Sequence, residues 1–426
     1  MNTLYPNSKL FMRIILSSLL IFSAILPLRA DEKKTVITFW TINQPGIDLT
    51  GDWLEDRIRE FETANPGFLV EHRFWENQSY KIRLKVAMFS NEGPDILFNW
   101  GSESQLLFSR EGLLYDLTEA LGDDKWGLSP GMFATHTYNG RIYGVPIFPS
   151  VQVVWYNKDL FLKHGWKTPH SWDDFLNLCA QIKNQGYIPV AMGGQEPWTI
   201  LYPYMYFVDR LAGNELYFAA KARLKSFTDP VFVEAFRLLL ELVEKGYLPT
   251  EVLSLSYMEA TQLLIQNKAL MMFMGDWEYQ RLTNQLRENL DKWEFFPFPI
   301  IPDGKGSHTG IVGAVAGYSI RKSKNSENAL KFLQYLASKD VLAKSYKHTG
   351  KLVALATPYL DENNHPLIKK FARLLSDASS LTQWWDQDLP EPVTQTLLQS
   401  LQDLLAKRRT PEQAAEMIEE AYHKFQ

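Results

Sequence analysis

The chain has 426 residues, of which 46% are hydrophobic and 22% charged, and its formal net charge is −5 at pH 7. These values are typical of a globular protein that is long enough for two domains. A chain with this mildly acidic balance has no electrostatic reason to bind nucleic acid or an anionic membrane surface, so we expect neither partner.

The N-terminus has the three parts of a secretory signal peptide. A basic start precedes the apolar run of residues 14–28, which is shorter than the ~20 residues of a membrane helix, and Ala30 stands before the polar residues 31–34. We expect cleavage after Ala30, which would remove three basic residues and leave a net charge of −8. The alternative is an uncleaved N-terminal anchor, because Arg29 beside the proposed cleavage site is unusual.

Strands and helices alternate in the next part of the chain. Apolar, β-branched runs predict strands and amphipathic spacing predicts helices. The strands are expected over 35–40, 68–74 and 95–98, and the helices over 52–61 and 81–89. This alternation predicts a parallel sheet with helices on both faces, in which ligands bind beyond the carboxyl ends of the strands. The candidate ligand-binding loops are therefore 40–48, 74–77 and 99–103.

The stretch 138–175 marks a change from one structural unit to another. Asn139-Gly140 predicts a tight turn, and the run Val151–Val154 predicts a half-buried strand. Ser171 followed by Asp174 is typical of a helix N-cap. The chain thus leaves one unit by an extended segment and enters the next through a helix.

The second part of the chain is predicted to be mainly helical between residues 171 and 246. A short apolar strand should follow and end in Gly275-Asp276-Trp277. A further strand contains Gly310, Gly313 and Gly317, whose small size permits either close backbone packing or direct ligand contact. The later helices are expected over 327–337 and from residue 394 onward.

Several of these segments resemble one protein family. Three of them resemble the lobe-crossing segment of extracellular solute-binding proteins of the sugar-binding, maltose-binding-protein-like type: Gly140-Arg-Ile-Tyr-Gly-Val-Pro, Tyr156-Asn-Lys-Asp-Leu-Phe and Ser171-Trp-Asp-Asp-Phe. Similar stretches run from about residue 36 to 390 and so cover nearly the whole mature chain. Members of this family feed ATP-binding-cassette importers.

The resemblance implies an α/β chain with the two-lobe periplasmic binding protein fold. Each lobe would be a mainly parallel sheet flanked by helices, and the chain would cross between lobes near residues 149, 314 and 356. The implied division is a signal peptide at 1–30, lobe 1 at 31–148 and 315–355, and lobe 2 at 149–314 and 356–426. The mature protein would be a periplasmic monomer.

The resemblance also implies a ligand-binding set that combines aromatic rings with carboxylates and amides. A pyranose offers a face of C–H bonds to an aromatic ring and an equator of hydroxyls to carboxylates and amides. Such a role gives a reason for the 13 Trp of the chain. The expected ligand-binding residues are Trp40, Asn43, Asn99, Trp100, Glu196, Trp198, Asp276, Trp277 and Trp384.

Some of these assignments have an alternative. Asn99 and Trp100 compete for the family's stacking position, because this chain has one extra residue there. A given Trp could instead belong to the core, and Asn43 or Asn99 could form a turn. Glu196 and Trp277 lie in the most specific local matches.

The function implied by the resemblance is capture of a mono- or oligosaccharide and its delivery to permease subunits of an ATP-binding-cassette transporter in the inner membrane. We expect no cofactor, no metal and no covalent step. The nucleophile-elbow, phosphate-loop and zinc-protease motifs are not found in the sequence. Cys179, the single cysteine, is expected to be buried apolar filler rather than a reactive thiol.

Three other functions are weighed against this one. A polyamine would require several carboxylates and aromatics. A glycerol phosphodiester would require a cluster of Arg or Lys, of which the candidate loops offer only Arg73 at a strand end. A secreted hydrolase would require Glu196 and Asp276 to face each other across a glycosidic bond. The carboxylates available to a polyamine are Glu76, Glu103, Glu196 and Asp276.

Overall fold

The computed structural model describes residues 34–286, 290–357 and 360–425, and the expected signal peptide and its cleavage site lie outside them. The strands are β1 (Thr35–Thr41), β2 (Phe68–Phe74), β3 (Ile96–Asn99), β4 (Thr137–Tyr138), β5 (Arg141–Ile142), β6 (Val145–Asn157), β7 (Ile188–Ala191), β8 (Ala269–Gly275), β9 (Trp293–Phe296), β10 (Ile311–Ile320) and β11 (Leu381–Gln383).

The α-helices are α1 (Leu49–Ala64), α2 (Asn77–Phe89), α3 (Glu103–Arg110), α4 (Thr118–Leu121), α5 (Lys158–His164), α6 (Trp172–Asn184), α7 (Trp198–Ala212), α8 (Asn214–Lys221), α9 (Pro230–Glu244), α10 (Tyr257–Ile265), α11 (Glu278–Leu286), α12 (Ser326–Leu336), α13 (Lys339–Thr349), α14 (Pro366–Ser376), α15 (Trp385–Asp388), α16 (Glu391–Leu405) and α17 (Pro411–Phe425). Among the described residues, none of these helices combines the length and the apolar character that a membrane span requires.

The nine strands of the large sheet run in the order β2-β1-β3-β10-β6-β8-β7, with β11 beside β10 and β9 beside β6. Strands β1, β2 and β3 are parallel to one another, as the alternation of strands and helices predicts. Strand β10 is antiparallel to β3 and to β6, so the sheet as a whole is mixed. The predicted α/β class is confirmed.

Strand β6 joins two parts of this sheet. Its first residues, Val145 to Val151, pair with β10, and its last residues, Gln152 to Asn157, pair with β8 and β9. We call β1–β3 the first half-sheet and β7–β9 the second half-sheet. The change of pairing partner lies where the sequence predicts that the chain leaves one unit and enters the next.

Two glycines of β10 allow its backbone to lie against β6. A Cβ atom on Gly313 would lie 2.2 Å from the Ser150 carbonyl oxygen, and one on Gly317 would lie 1.9 Å from the Val145 carbonyl oxygen. Both distances are far below a van der Waals contact, so any side chain would push the strands apart. Close backbone packing, one of the two interpretations of these glycines, is therefore what the structure shows.

The segment 171–246 is mainly helical as predicted, with the short strand β7 as an element that the pattern did not indicate. A short apolar run bounded by turns has no periodicity that separates a buried strand from a piece of helix. Pairing with β8 in parallel register decides the conformation here. The helix α6 that precedes β7 begins, as predicted, with a reciprocal cap between Ser171 and Asp174, and it buries Cys179.

Candidate ligand-binding site

A cavity of about 310 Å³ lies beyond the carboxyl ends of β1 and β3, between the two half-sheets. The three loops that topology indicates all contribute to it, with residues 42–48, 76–77 and 100. The opposite side comes from the start of α7, the start of α10, the first turns of α11 and the segment around α15. The main side chains that line this opposite side are Glu196, Trp198, Tyr202, Tyr257, Met258, Trp277, Gln280, Arg281, Trp384, Asp386 and Gln387.

Helix caps fix the loops that line the first side. The Asp48 carboxylate accepts a hydrogen bond from the Gly51 amide at 2.7 Å at the start of α1. The Glu76 carboxylate accepts from the amides of Gln78 and Ser79 at 2.9 and 3.1 Å at the start of α2. Each cap satisfies amides that a helix leaves unpaired at its start. Both acidic residues are therefore held at the rim of the cavity by local backbone geometry.

Aromatic rings form one wall of the cavity. The Trp277 ring lies 5.4 Å from that of Trp384 at an interplanar angle of 90° and 6.1 Å from that of Tyr202. The Trp198 ring lies 5.4 Å from Tyr202 and 6.5 Å from Trp277, measured between ring centroids. Trp277 also donates its indole N–H to the Tyr257 hydroxyl at 3.1 Å. The rings thus support one another and present a rigid apolar surface to the cavity.

Trp100 lines the cavity from the side of the first half-sheet. Its ring packs 5.0 Å from Phe98, and the Lys81 ammonium lies 5.0 Å above it. Lys81 in turn forms an ion pair with Asp386 at 3.1 Å. A second contact joins the same two sides, since the Gln383 amide donates to the Trp100 carbonyl oxygen at 2.7 Å.

Buried polar atoms of the cavity lining have no hydrogen-bond partner within the described part of the chain. The indole N–H groups of Trp198 and Trp384 are two such donors, and the side-chain oxygen of Asn43 is such an acceptor. The side-chain amide of Gln280 adds a third donor. Buried polar groups without partners are costly, so a ligand hydroxyl or ordered water that reached these atoms would remove that cost.

The carboxyl group of Glu196 is half buried at the cavity. Its Oε2 accepts a hydrogen bond from the Tyr257 amide at 2.8 Å. Burial is the largest influence on the pKa of this carboxyl and raises it, while the amide of Tyr257 acts in the opposite direction. The hydrogen bond holds the group where it can accept from a ligand hydroxyl.

The structure brings six of the nine expected residues to the cavity and leaves three outside its lining. Trp40 packs edge-on against Trp75, with ring centroids 4.5 Å apart. Asn99 donates to the Ser319 hydroxyl at 2.7 Å and accepts from the Gly101 amide at 2.9 Å, so it forms a turn. The residues that line the cavity are Asn43, Trp100, Glu196, Trp198, Trp277 and Trp384. Of the two candidates for the stacking position, Trp100 therefore lines the cavity and Asn99 does not.

Asp276 is the third residue outside the lining. It is 2% exposed, and its backbone and side chain both bond to Val151 of β6: its amide donates to the Val151 carbonyl oxygen at 3.0 Å, and Oδ1 accepts from the Val151 amide at 3.3 Å. Burial raises the pKa of the Asp276 carboxyl to about 7, against the opposing influence of Lys351. Asp276 thus ties α11 to β6.

Sequence reasoning missed the cations of the site. The candidate loops offered only Arg73, which lies on exposed β2 surface and pairs with Glu71. Lys81, Arg281 and Lys351 line the cavity instead. Lys81 lies one turn into a helix that begins at a candidate loop, and Arg281 one turn after Trp277, so helical spacing could have found both. Lys351 is distant in sequence from every matched segment.

Comparisons with known proteins identify the family to which this chain is similar. A family model described as bacterial extracellular solute-binding protein matches residues 48–343. The multiple sugar-binding protein of Streptococcus mutans is 26% identical over 353 residues, which is 80% of this chain and 81% of that protein. Family membership therefore rests on most of the chain rather than on a local motif.

Solved structures share the fold. One, from a study of xylan utilization by the thermophilic bacterium Caldanaerobius polysaccharolyticus, has a TM-score of 0.86 at 27% identity and covers 91% of this chain and 99% of that chain. The maltose/maltodextrin-binding domain MalE from Bdellovibrio bacteriovorus, bound to maltotriose, has a TM-score of 0.73 at 21% identity and covers 92% and 99%. These likenesses confirm the predicted two-lobe fold, and the chain belongs to the bacterial extracellular solute-binding proteins.

Proposed function

We propose that this protein binds a carbohydrate, a mono- or oligosaccharide, outside the inner membrane and delivers it to the permease subunits of an ATP-binding-cassette importer. The observation that carries the proposal is the combination of an aromatic wall with carboxylate, amide and cationic side chains in one cavity. A sugar ring satisfies both, because its C–H face packs on indole rings while its hydroxyls donate and accept at its edge.

The charge balance of the cavity supports a saccharide over a polyamine. Four carboxylates and three cations line it, and they are Asp48, Glu76, Glu196 and Asp386 with Lys81, Arg281 and Lys351. A polycation would require carboxylates well in excess of cations, whereas here it would meet three like charges against four carboxylates. Of the carboxylates considered for a polyamine, Glu103 pairs with Arg110 and Asp276 lies outside the lining.

Family membership supports a receptor rather than a hydrolase. A glycosidase needs two carboxyl groups that flank the scissile bond from the same cavity. Glu196 lines the cavity, whereas Asp276 lies behind it and bonds to β6. The two residues are therefore poorly placed to act as such a pair, and the proposed mechanism has no covalent step.

The proposed transport cycle rests on movement of two lobes. Lobe 1 would comprise residues 31–148 and 315–355, and lobe 2 residues 149–314 and 356–426. The exchange of pairing partners along β6 and the passage of β10 between β3 and β6 support crossings near 149 and 314. Hinge closure around the ligand would exclude water from many polar contacts and present one closed form to the permease. Secretion through the expected signal peptide would deliver a monomer to the periplasm.

Isothermal titration calorimetry tests the proposal. The mature protein, freed of co-purified ligand, is titrated with mono-, di- and trisaccharides and, separately, with spermidine, while reducing ends are assayed over time. We expect saturable binding of at least one saccharide in the micromolar range and no new reducing ends. Binding of spermidine alone, or steady release of reducing ends, would contradict the proposal.

A further inference from the structure

The three cations of the cavity differ in how they are neutralised. Lys81 is paired with Asp386 at 3.1 Å, and the Asp386 side chain is 5% exposed. Arg281 and Lys351 have no carboxylate oxygen within 4.0 Å among the described residues. Two cationic side chains therefore line a largely enclosed cavity without a direct counterion.

Aromatic rings position these two cations. The Lys351 ammonium lies 5.0 Å above the Phe148 ring, and the Arg281 guanidinium lies 4.7 Å above the Tyr257 ring. Cation–π contacts orient a charge without occupying all of its N–H donors. One Arg281 donor, Nη1, is used by the Met258 Sδ at 2.7 Å. Burial lowers the pKa of the Lys351 ammonium and the Arg281 charge lowers it further, against the opposing influence of Asp48 and Asp276.

Each acidic group around these cations has at least one oxygen engaged elsewhere, while Asp276 Oδ2 and Glu278 Oε1 have no hydrogen-bond partner within the described part of the chain. Asp48 accepts hydrogen bonds from the amides of Gln44 and Gly51, both at 2.7 Å. Glu278 accepts a hydrogen bond from the Tyr257 hydroxyl, and Asp276 accepts from the Val151 amide. These carboxylates moderate the local field without pairing directly with Arg281 or Lys351.

We propose that the part of the cavity lined by Arg281 and Lys351 is an anion subsite, and that the preferred ligand is a saccharide that bears one acidic group. The inference rests on the proposed function and names the class of sugar. A carboxylate of a uronic acid or a phosphate ester would lie between Arg281 and Lys351 and accept hydrogen bonds from both. This acidic group would supply the missing counterion while the sugar rings pack against the aromatic wall.

Charge-assisted hydrogen bonds explain why such a group would be preferred. They are about twice as strong as neutral ones, and they cost little reorganisation when the donors are already held in place. A neutral sugar would offer hydroxyls to the same donors but would leave two like charges unbalanced. The subsite therefore distinguishes saccharides by charge, while the indoles distinguish sugars from other acids.

The test compares matched ligands by calorimetry on the full mature protein. Disaccharides of glucose, galactose and xylose are each used in neutral form, in a form with a terminal uronic acid, and in a form with a terminal phosphate ester. We expect one acidic form to bind at least about tenfold more tightly than its neutral counterpart. Which acid binds identifies the source of the anion, and higher ionic strength should weaken only the acidic ligand markedly.

Variants separate the subsite from the rest of the cavity. Arg281→Gln and Lys351→Met should each weaken binding of the acidic ligand about tenfold or more and change binding of the neutral one less than about threefold. Lys167→Gln, at an exposed position outside the cavity lining, serves as the control for loss of one positive charge. Thermal melts select whichever of the two variants folds like the wild type.

The outcomes separate the two proposals. Equal or tighter binding of the neutral saccharides would overturn the anion subsite while leaving carbohydrate binding intact. Loss of affinity for neutral and acidic ligands alike in both variants would also overturn it, because the cations would then be general contacts. Failure of every saccharide, neutral or acidic, would overturn the proposed function itself.

Discussion

Trp277 illustrates how a single side chain can hold a binding surface together. Its indole N–H is fixed by the Tyr257 hydroxyl, and its ring meets those of Trp198, Tyr202 and Trp384. The face turned to the cavity is therefore pre-oriented, and little side-chain entropy is lost when a ligand packs on it.

Trp277→Ala should weaken saccharide binding at least about tenfold, or ~1.4 kcal/mol, because it removes a pre-oriented stacking surface. Trp40→Ala is the matched control, since Trp40 packs against Trp75 and does not line the cavity. Calorimetric titration of both variants, after circular dichroism confirms folding, measures the difference. An equal loss in the two variants would argue against the aromatic wall as the binding surface.

Asp276 is expected to make the stability of the protein depend on pH. Burial raises the pKa of its carboxyl from 3.8 to about 7, so the folded state keeps a proton that the unfolded state loses over this range. The Asp276 carboxyl therefore destabilises the folded state increasingly as the pH rises from 3.8 to about 7. Above pH 7 its effect on stability is constant.

Asp276→Asn removes this titration and keeps an oxygen that can accept from the Val151 amide. The free energy of unfolding of the variant relative to wild type should rise with pH by up to about 1.4 kcal/mol per unit between pH 4 and 7, then level off. Urea unfolding at several pH values measures it. A stability difference that does not vary with pH would show that this carboxyl titrates normally.

Sequence alone located much of the aromatic wall but not the cationic side chains that line the cavity with it. Trp277 and Glu196 stand in distinctive local motifs, and both line the cavity. Trp40 lies inside β1, and its side chain packs on the Trp75 ring, because the face of the sheet on which a strand residue lies is set by packing that no motif encodes. Lys351 reaches the site from a distant segment, so only the folded chain brings it there.

At the scale of elements, β10 shows how small residues permit a crossing strand. It lies between β3 and β6, with Gly313 and Gly317 against carbonyl oxygens of β6. The regular alternation at the N-terminal end of the chain made β1 and β2 predictable to within one residue. Strand β7 was not predictable in the same way, because its four residues, three of them buried, carry no period.

Gly313→Ala and Gly317→Ala should each destabilise the protein by about 1–3 kcal/mol, because the new methyl group forces β10 away from β6. Gly67→Ala is the control, since a Cβ atom there would meet no atom within 4 Å. Midpoints of urea unfolding report the effect. If all three variants unfolded at the same denaturant concentration, the close packing of β10 on β6 would be in doubt.

At the scale of the whole molecule, polar contacts besides the shared sheet connect the two sides of the cavity, among them the Thr50–Gln280 hydrogen bonds. The Lys81–Asp386 ion pair joins them at 3.1 Å, and the Lys85–Glu391 pair does so at 3.9 Å on the surface. In the proposed hinge motion these contacts form on closure, so they bias the equilibrium between open and closed forms.

Lys81→Met should favour the open form and weaken saccharide binding by up to about fivefold, because a partly exposed ion pair contributes up to about 1 kcal/mol. Lys85→Met should have a smaller effect, since its pair is longer and exposed. Small-angle scattering of the ligand-free variants measures the shift toward the open form, and calorimetry with the saccharide measures the change in affinity. A larger effect for Lys85→Met would contradict this account of closure.

Hydrogen–deuterium exchange with and without the bound saccharide tests the central claim most directly. If the ligand is held between the strand-end loops of both half-sheets, protection should appear together in peptides that cover 42–48, 98–100, 196–202, 277–281 and 384–387. Protection confined to one side of the cavity, or to surface far from it, would contradict the claim that the two sides close on the sugar.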